Sequence, residues 1–74
     1  MQRPIEKYGW KYKRTDSDRV VYENRARALY LYFYLNSNKI EFLGVIHVTK
    51  FDDFEELQAI YETAKQIKEE NKNE

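Results

Sequence analysis

The stretch that decides the fold is ALYLYFYL, residues 28–35. Its leucines and its one phenylalanine alternate with three tyrosines, Tyr30, Tyr32 and Tyr34. Successive side chains of a strand point to opposite faces, so this pattern predicts a β-strand with a leucine-rich face and a tyrosine face. A hydrophobic core accounts for the leucine-rich face. The tyrosine face raises the question of function.

Three further segments have strand patterns, because they alternate or are rich in β-branched and aromatic side chains. They are residues 8–14, 19–24 and 39–48. The NSN sequence at 36–38 predicts the clearest turn, since Asn tolerates left-handed backbone angles. Gly44 in the fourth segment indicates a bulge or a close approach by another group. The sequence therefore predicts an antiparallel sheet over residues 8–48.

Beyond this sheet the period of the apolar residues changes to that of an amphipathic helix. The apolar positions are Phe54, Leu57, Ile60, Tyr61, Ala64 and Ile67. We expect a helix over residues 50–70, a frayed tail at 71–74 and an N-terminal arm at 1–7. The predicted fold is a single α+β domain over 1–74: a four-stranded antiparallel sheet (β-β-β-β-α) with one C-terminal helix packed on one face.

Composition excludes several classes of site. There is no cysteine, one histidine and two glycines, so disulfides, cysteine-ligated zinc and a glycine-rich phosphate loop are all ruled out. No nucleophile, base and acid are arranged as in a hydrolase, so we expect no enzyme activity, no cofactor and no metal. No apolar run is long enough to span a membrane and no signal peptide is recognisable, which predicts a cytoplasmic protein without a membrane partner.

The charges are unevenly distributed although the net charge is zero. Nine Lys/Arg and five Asp/Glu precede Thr49, whereas four Lys/Arg and eight Asp/Glu follow it. A basic sheet and an acidic helix are therefore expected. The overall neutrality argues against a nucleic-acid mimic and against a basic packaging protein, but it allows a local patch of either sign.

The helix can cover only one face of the sheet, and we assign it to the leucine-rich face. The core is expected to include Ile40, Phe42, Ile46 and Val48 of the fourth strand with the helix stripe. The tyrosine face would then carry Leu43, Val45 and His47, extended by some of Trp10, Tyr12, Val20 and Tyr22. Such a face would exceed the few hundred Å² of apolar surface usual for a monomer. The sequence thus predicts that something covers it.

Three coverings remain open. The N-terminal arm or a coiled first hairpin could fold over the tyrosines, two copies could pack together as a homodimer, or another protein could bind there. Tyrosine is a good strand former and cross-strand aromatic pairs stabilise sheets, which supports the first. Tyrosine, tryptophan and arginine dominate binding hot spots, which supports the last. The candidate partner-binding residues are Tyr30, Tyr32, Tyr34, Trp10, Tyr12, His47, Arg25 and Arg27.

The leading hypothesis is a small non-enzymatic protein-binding module that acts through the tyrosine face. In size and style it resembles phage- or mobile-element-type inhibitors of a host nuclease or defence complex, an analogy that no specific motif supports. The alternative is a single-stranded nucleic-acid-binding domain, in which sheet aromatics stack on bases and the basic hairpin contacts phosphates. The acidic helix and the absence of a known sheet motif make nucleic acid the less favoured partner.

Overall fold

The computed structural model describes residues 3–44 and 54–72. Its elements are a 3₁₀ helix (Pro4–Tyr8), strands β1 (Lys11–Thr15), β2 (Arg19–Asn24), β3 (Leu29–Tyr34) and β4 (Ile40–Gly44), and helix α1 (Phe54–Lys72). The strands form one antiparallel sheet in the order β1-β2-β3-β4. The predicted α+β fold, four strands followed by one helix, is confirmed.

The leucine-rich face of β3 packs towards α1, as the alternation predicts. Leu29, Leu31 and Phe33 are at most 5% exposed and belong to one cluster with Ile60 and Ile67 of the helix. Gly44 lies opposite Leu29 in the register, and the Leu29 side chain occupies the space a Cβ at Gly44 would need. Of the two explanations for this glycine, the close approach holds, because the β3–β4 register is regular.

The described residues near both ends of the chain are more ordered than the sequence predicts. Residues 4–7 of the expected arm belong to the 3₁₀ helix, which begins at Pro4 and is capped by the Glu6 carboxylate, the acceptor of a 2.9 Å hydrogen bond from the backbone N–H of Arg3. At the other end α1 includes residues 71–72 of the predicted frayed tail. The Asn71 amide donates a 3.3 Å hydrogen bond to the backbone oxygen of Leu35, which ties the last turn to the sheet.

The first strand begins later than predicted, and this shift relocates Trp10. Gly9 has a φ of +92°, so the chain turns sharply after the 3₁₀ helix and β1 begins at Lys11. Trp10 precedes the strand and is fully buried on the helix side together with Ile5. The prediction that Trp10 extends the tyrosine face is therefore wrong.

Helix α1 buries a side that shares Ile60 and Ile67 with the predicted apolar stripe but is rotated away from its other positions. The residues at most 4% exposed are Glu56, Ala59, Ile60, Thr63 and Ile67. Phe54 and Leu57 were expected in the core, but they are 86% and 40% exposed, and Phe42 of β4 is 41% exposed. The physical reason is that the 3₁₀ helix and Trp10 also pack on α1, so the helix presents its buried side to them as well as to the sheet.

Candidate functional site

The face of the sheet turned away from α1 carries the three tyrosines of β3. The strand register places Val21 opposite Tyr32, and Leu43 opposite Tyr30. We call this surface the tyrosine face; it comprises Tyr30, Tyr32, Tyr34, Val21 and Leu43 with the charged residues Lys11, Lys13, Arg14, Arg19, Glu23, Lys39 and Glu41.

Each tyrosine of β3 has a cation from a neighbouring segment over its ring. The Lys13 ammonium lies 5.6 Å from the Tyr30 centroid, and the Lys39 ammonium lies 5.0 Å from that of Tyr34. The guanidinium carbon of Arg19 is 4.3 Å from the centroid of Tyr32. Cations at these distances are attracted by the negative faces of the rings, and their aliphatic stems cover apolar surface.

Carboxylates hold these cations in place. Glu41 accepts a 2.8 Å hydrogen bond from the Tyr34 hydroxyl and lies 3.7 Å from the Lys39 ammonium. Glu23 lies within 3.7 Å of both Lys13 and Arg25. The tyrosine face is therefore a connected network of rings, cations and carboxylates.

The central cation of this network, Arg19, is held on two sides. Its Nε donates to Asp16, at 3.4 Å, in the hairpin that joins β1 and β2. Hydrogen bonding to the Tyr34 hydroxyl, and then to Asp16, raises the pKa of Arg19 above its already high ordinary value. The guanidinium therefore stays charged over the Tyr32 ring at every accessible pH.

The network covers the centre of the face, whereas Leu43 at its β4 edge is 54% exposed. Val21 is 0% exposed although it points away from the helix, and Tyr32 is only 9% exposed. Tyr30 and Tyr34 are half-buried. Long cationic side chains of the sheet itself thus shield part of this surface, and the prediction that a partner or a second copy covers the face stays a prediction. Residues 4–7 of the predicted arm lie in the 3₁₀ helix, which packs on the helix side instead.

The remaining predicted site residues do not lie in the row of tyrosines. Tyr12 is 54% exposed, but its ring packs edge-on against Tyr22, on the helix side of the sheet. Arg25 is exposed beside Glu23 at one end of the tyrosine face. Arg27 forms an ion pair with Glu56 of α1. His47, like the predicted neighbour Val45, lies outside the described residues.

Arg27 belongs to a buried polar cluster that sequence reasoning missed. Its guanidinium donates two hydrogen bonds, of 2.7 and 3.0 Å, to the carboxylate of Glu56, which also accepts a 2.8 Å bond from the indole N–H of Trp10. This contact with Glu56 raises the pKa of Arg27. The available signal was helical spacing, because Glu56 lies four and eleven residues before Ile60 and Ile67 on the buried side.

Within residues 3–44 and 54–72 no three His, Asp or Glu side chains converge as a metal site, and no helix is long and apolar enough to cross a membrane. Searches against protein-family models, curated proteins and solved structures found no match to this chain. The tyrosine face is the candidate site because it combines aromatic rings and charges on one surface.

Proposed function

We propose that this chain is a non-enzymatic module that binds another protein through the tyrosine face. The observation that carries the proposal is the row of Tyr30, Tyr32 and Tyr34, each with a cation over its ring. Aromatic and guanidinium groups fixed in position lose little rotamer freedom on binding, which is why they dominate hot spots. Occlusion of a host nuclease or defence complex is one concrete form of this proposal.

The shape of the site supports binding rather than catalysis. The face is one side of an antiparallel sheet. Neighbouring strands of a sheet are about 4.8 Å apart, so the four strands present a surface about 14 Å wide. The side chains on it are paired with one another, as Tyr34 is with Glu41 and Lys39. Such a preorganised surface suits a partner that replaces water over a broad area.

The test is capture of a partner from the native host with variants that keep the fold. Tyr30→Ala with Tyr34→Ala should abolish retention of the partner, because both half-buried rings would be lost from the face. Tyr61→Ala is the matched control: Tyr61 also has a lysine over its ring, Lys65 at 5.3 Å, but it lies on α1. Circular dichroism verifies that each variant is folded.

The outcomes of this experiment distinguish binding of another protein from self-association and from no role of the tyrosine face. A captured protein that is lost with the Tyr30 and Tyr34 changes and kept with Tyr61→Ala supports the proposal. Equal retention of the captured protein by the unchanged chain, the double variant and Tyr61→Ala refutes the proposal. A dimer mass that the same two changes reduce to the monomer mass, with no other protein captured, would replace the partner by a second copy of the chain.

A further inference from the structure

We infer that the partner presented to the tyrosine face is an acidic, extended protein segment. The inference deepens the proposed function, on which it rests, by giving the chemistry of the partner. Three observations support it: the excess of cations on this face, the spacing of the tyrosines along β3, and the cations that already lie over the tyrosine rings.

The tyrosine face with its flanking turns carries an excess of cations. Six cationic side chains, from Lys11, Lys13, Arg14, Arg19, Arg25 and Lys39, accompany four carboxylates, from Asp16, Asp18, Glu23 and Glu41. The whole chain is neutral, so this surplus is local. A surface with such a surplus attracts an anionic partner and repels a cationic one.

Two of the carboxylates on this face are already shared between cations. Asp16 contacts both Arg14, at 3.1 Å, and Arg19, at 3.4 Å. Glu23 similarly lies near Lys13 and Arg25. Each of these two carboxylates therefore serves two cations. Because two cations share one carboxylate, each cation can bind a further acceptor. The side chains of Arg14 and Lys39 are 46% and 59% exposed and can reach them.

The spacing of the tyrosines favours an extended segment. Alternate residues of a strand repeat every ~6.8 Å, so Tyr30, Tyr32 and Tyr34 form a row with this period. An extended acidic segment lying along β3 repeats its own alternate carboxylates at the same distance. Its carboxylates would meet the cations over the three rings one after another.

The rings argue against single-stranded nucleic acid as the anion. Bases bind sheet proteins by stacking on open aromatic faces. Here each ring of the row already has a cation over it, and Tyr32 is only 9% exposed. Trp10, the strongest stacking candidate in the sequence, is buried in the core. The cations are available to carboxylates, whereas the stacking surfaces are not.

The experiment titrates the isotope-labelled protein with three probes and follows backbone amide signals by NMR. The probes are a twelve-residue peptide of alternating Glu and Ser, its counterpart with Gln in place of Glu, and a twelve-nucleotide oligo-dT. We expect the Glu peptide to shift signals of β2 and β3, the Gln peptide to shift none, and the affinity for the Glu peptide to fall as salt rises.

Matched variants localise the binding. Lys13→Gln with Lys39→Gln should weaken the Glu peptide about fivefold, since two ion pairs of exposed groups are removed. Lys65→Gln, which removes the cation over Tyr61 on α1, should leave the affinity unchanged. The inference is overturned if the double variant and Lys65→Gln weaken binding equally. It is also overturned if oligo-dT binds more tightly than the Glu peptide, or if the Glu peptide does not bind.

The failure of this inference is distinguishable from failure of the proposed function. If host capture depends on Tyr30 and Tyr34 while the Glu peptide does not bind, the protein-binding function stands and the acidic chemistry is wrong. If capture is independent of both tyrosines, the proposed function itself fails.

Discussion

The buried carboxylate of Glu56 should be a main determinant of stability. It is 1% exposed and accepts hydrogen bonds from Trp10 and from both terminal nitrogens of Arg27. These contacts join the first turn of α1 to the residue before β1 and to the turn between β2 and β3. Substitution Glu56→Ala removes all three bonds and leaves the Trp10 indole N–H, in a fully buried residue, without its acceptor.

The magnitude follows from the exposure of the partners. Breaking a fully buried ion pair costs about 3–5 kcal/mol. The Arg27 side chain is 39% exposed and can be rehydrated, so its share is smaller. An unsatisfied buried indole N–H costs about 1–3 kcal/mol. We therefore expect Glu56→Ala to lower the free energy of unfolding by about 2–4 kcal/mol, a large part of the stability of so small a domain.

Trp10 is the only tryptophan, so its fluorescence follows urea unfolding and reports on this cluster directly. Glu56→Gln keeps an acceptor for the indole and should cost less than Glu56→Ala. Glu62→Ala, at an exposed position two turns along α1, is the control and should change stability by less than about 0.5 kcal/mol. A loss below about 1 kcal/mol for Glu56→Ala would refute this reasoning.

Three further predictions concern stability. Ala28 has a φ of +56°, so Ala28→Gly should raise the free energy of unfolding by about 0.5–1 kcal/mol, whereas Ala26→Gly in the same turn should lower it; equal effects in urea titrations would refute the strain. Gly44→Ala should cost about 1–3 kcal/mol through its contact with Leu29, and the cost should shrink in a Leu29→Val background; an unchanged cost would exclude that contact. Burial raises the pKa of Tyr22, so the native state holds this proton more tightly than the unfolded chain. The resulting stability is full below the ordinary pKa of about 10 and is lost as pH rises through the native value, so Tyr22→Phe should lose less stability between about pH 8 and pH 11; equal losses would contradict this.

The fold could be predicted because the informative patterns are local. The alternation around Tyr30 to Tyr34 defines β3 and its two faces. Successive side chains of a strand point to opposite faces, so the sequence alone assigns each residue to a face. The turn formers of NSN separate β3 from β4, and the change to a helical period after the sheet gives α1. None of these inferences requires knowledge of which distant residues meet.

The candidate site was predicted only in part, because its environment depends on contacts between distant segments. The sequence identifies Tyr30, Tyr32 and Tyr34 as one row. It does not reveal that Lys13 and Arg19 lie over two of these rings, since that depends on the register between strands and on the bulge between Tyr12 and Arg14.

The helix interface was mispredicted for a similar reason. The positive φ of Gly9 turns Trp10 into the core, where it meets Glu56. A carboxylate on an amphipathic helix is normally assigned to solvent. Hydrogen bonds from Trp10 and Arg27, both distant in sequence, satisfy this buried carboxylate, and a one-dimensional pattern does not contain those contacts.

The most direct test of the central claim is photo-crosslinking in the native host. A photoreactive phenylalanine analogue is placed at position 34, on the tyrosine face, or at position 61, on α1. The two sites are matched because both natural tyrosines have a lysine over the ring. If the tyrosine face binds a partner, the protein carrying the analogue at position 34 should crosslink to a discrete second protein, and the one carrying it at position 61 should not. Crosslinks of equal yield at both positions, or at position 61 alone, would contradict the account.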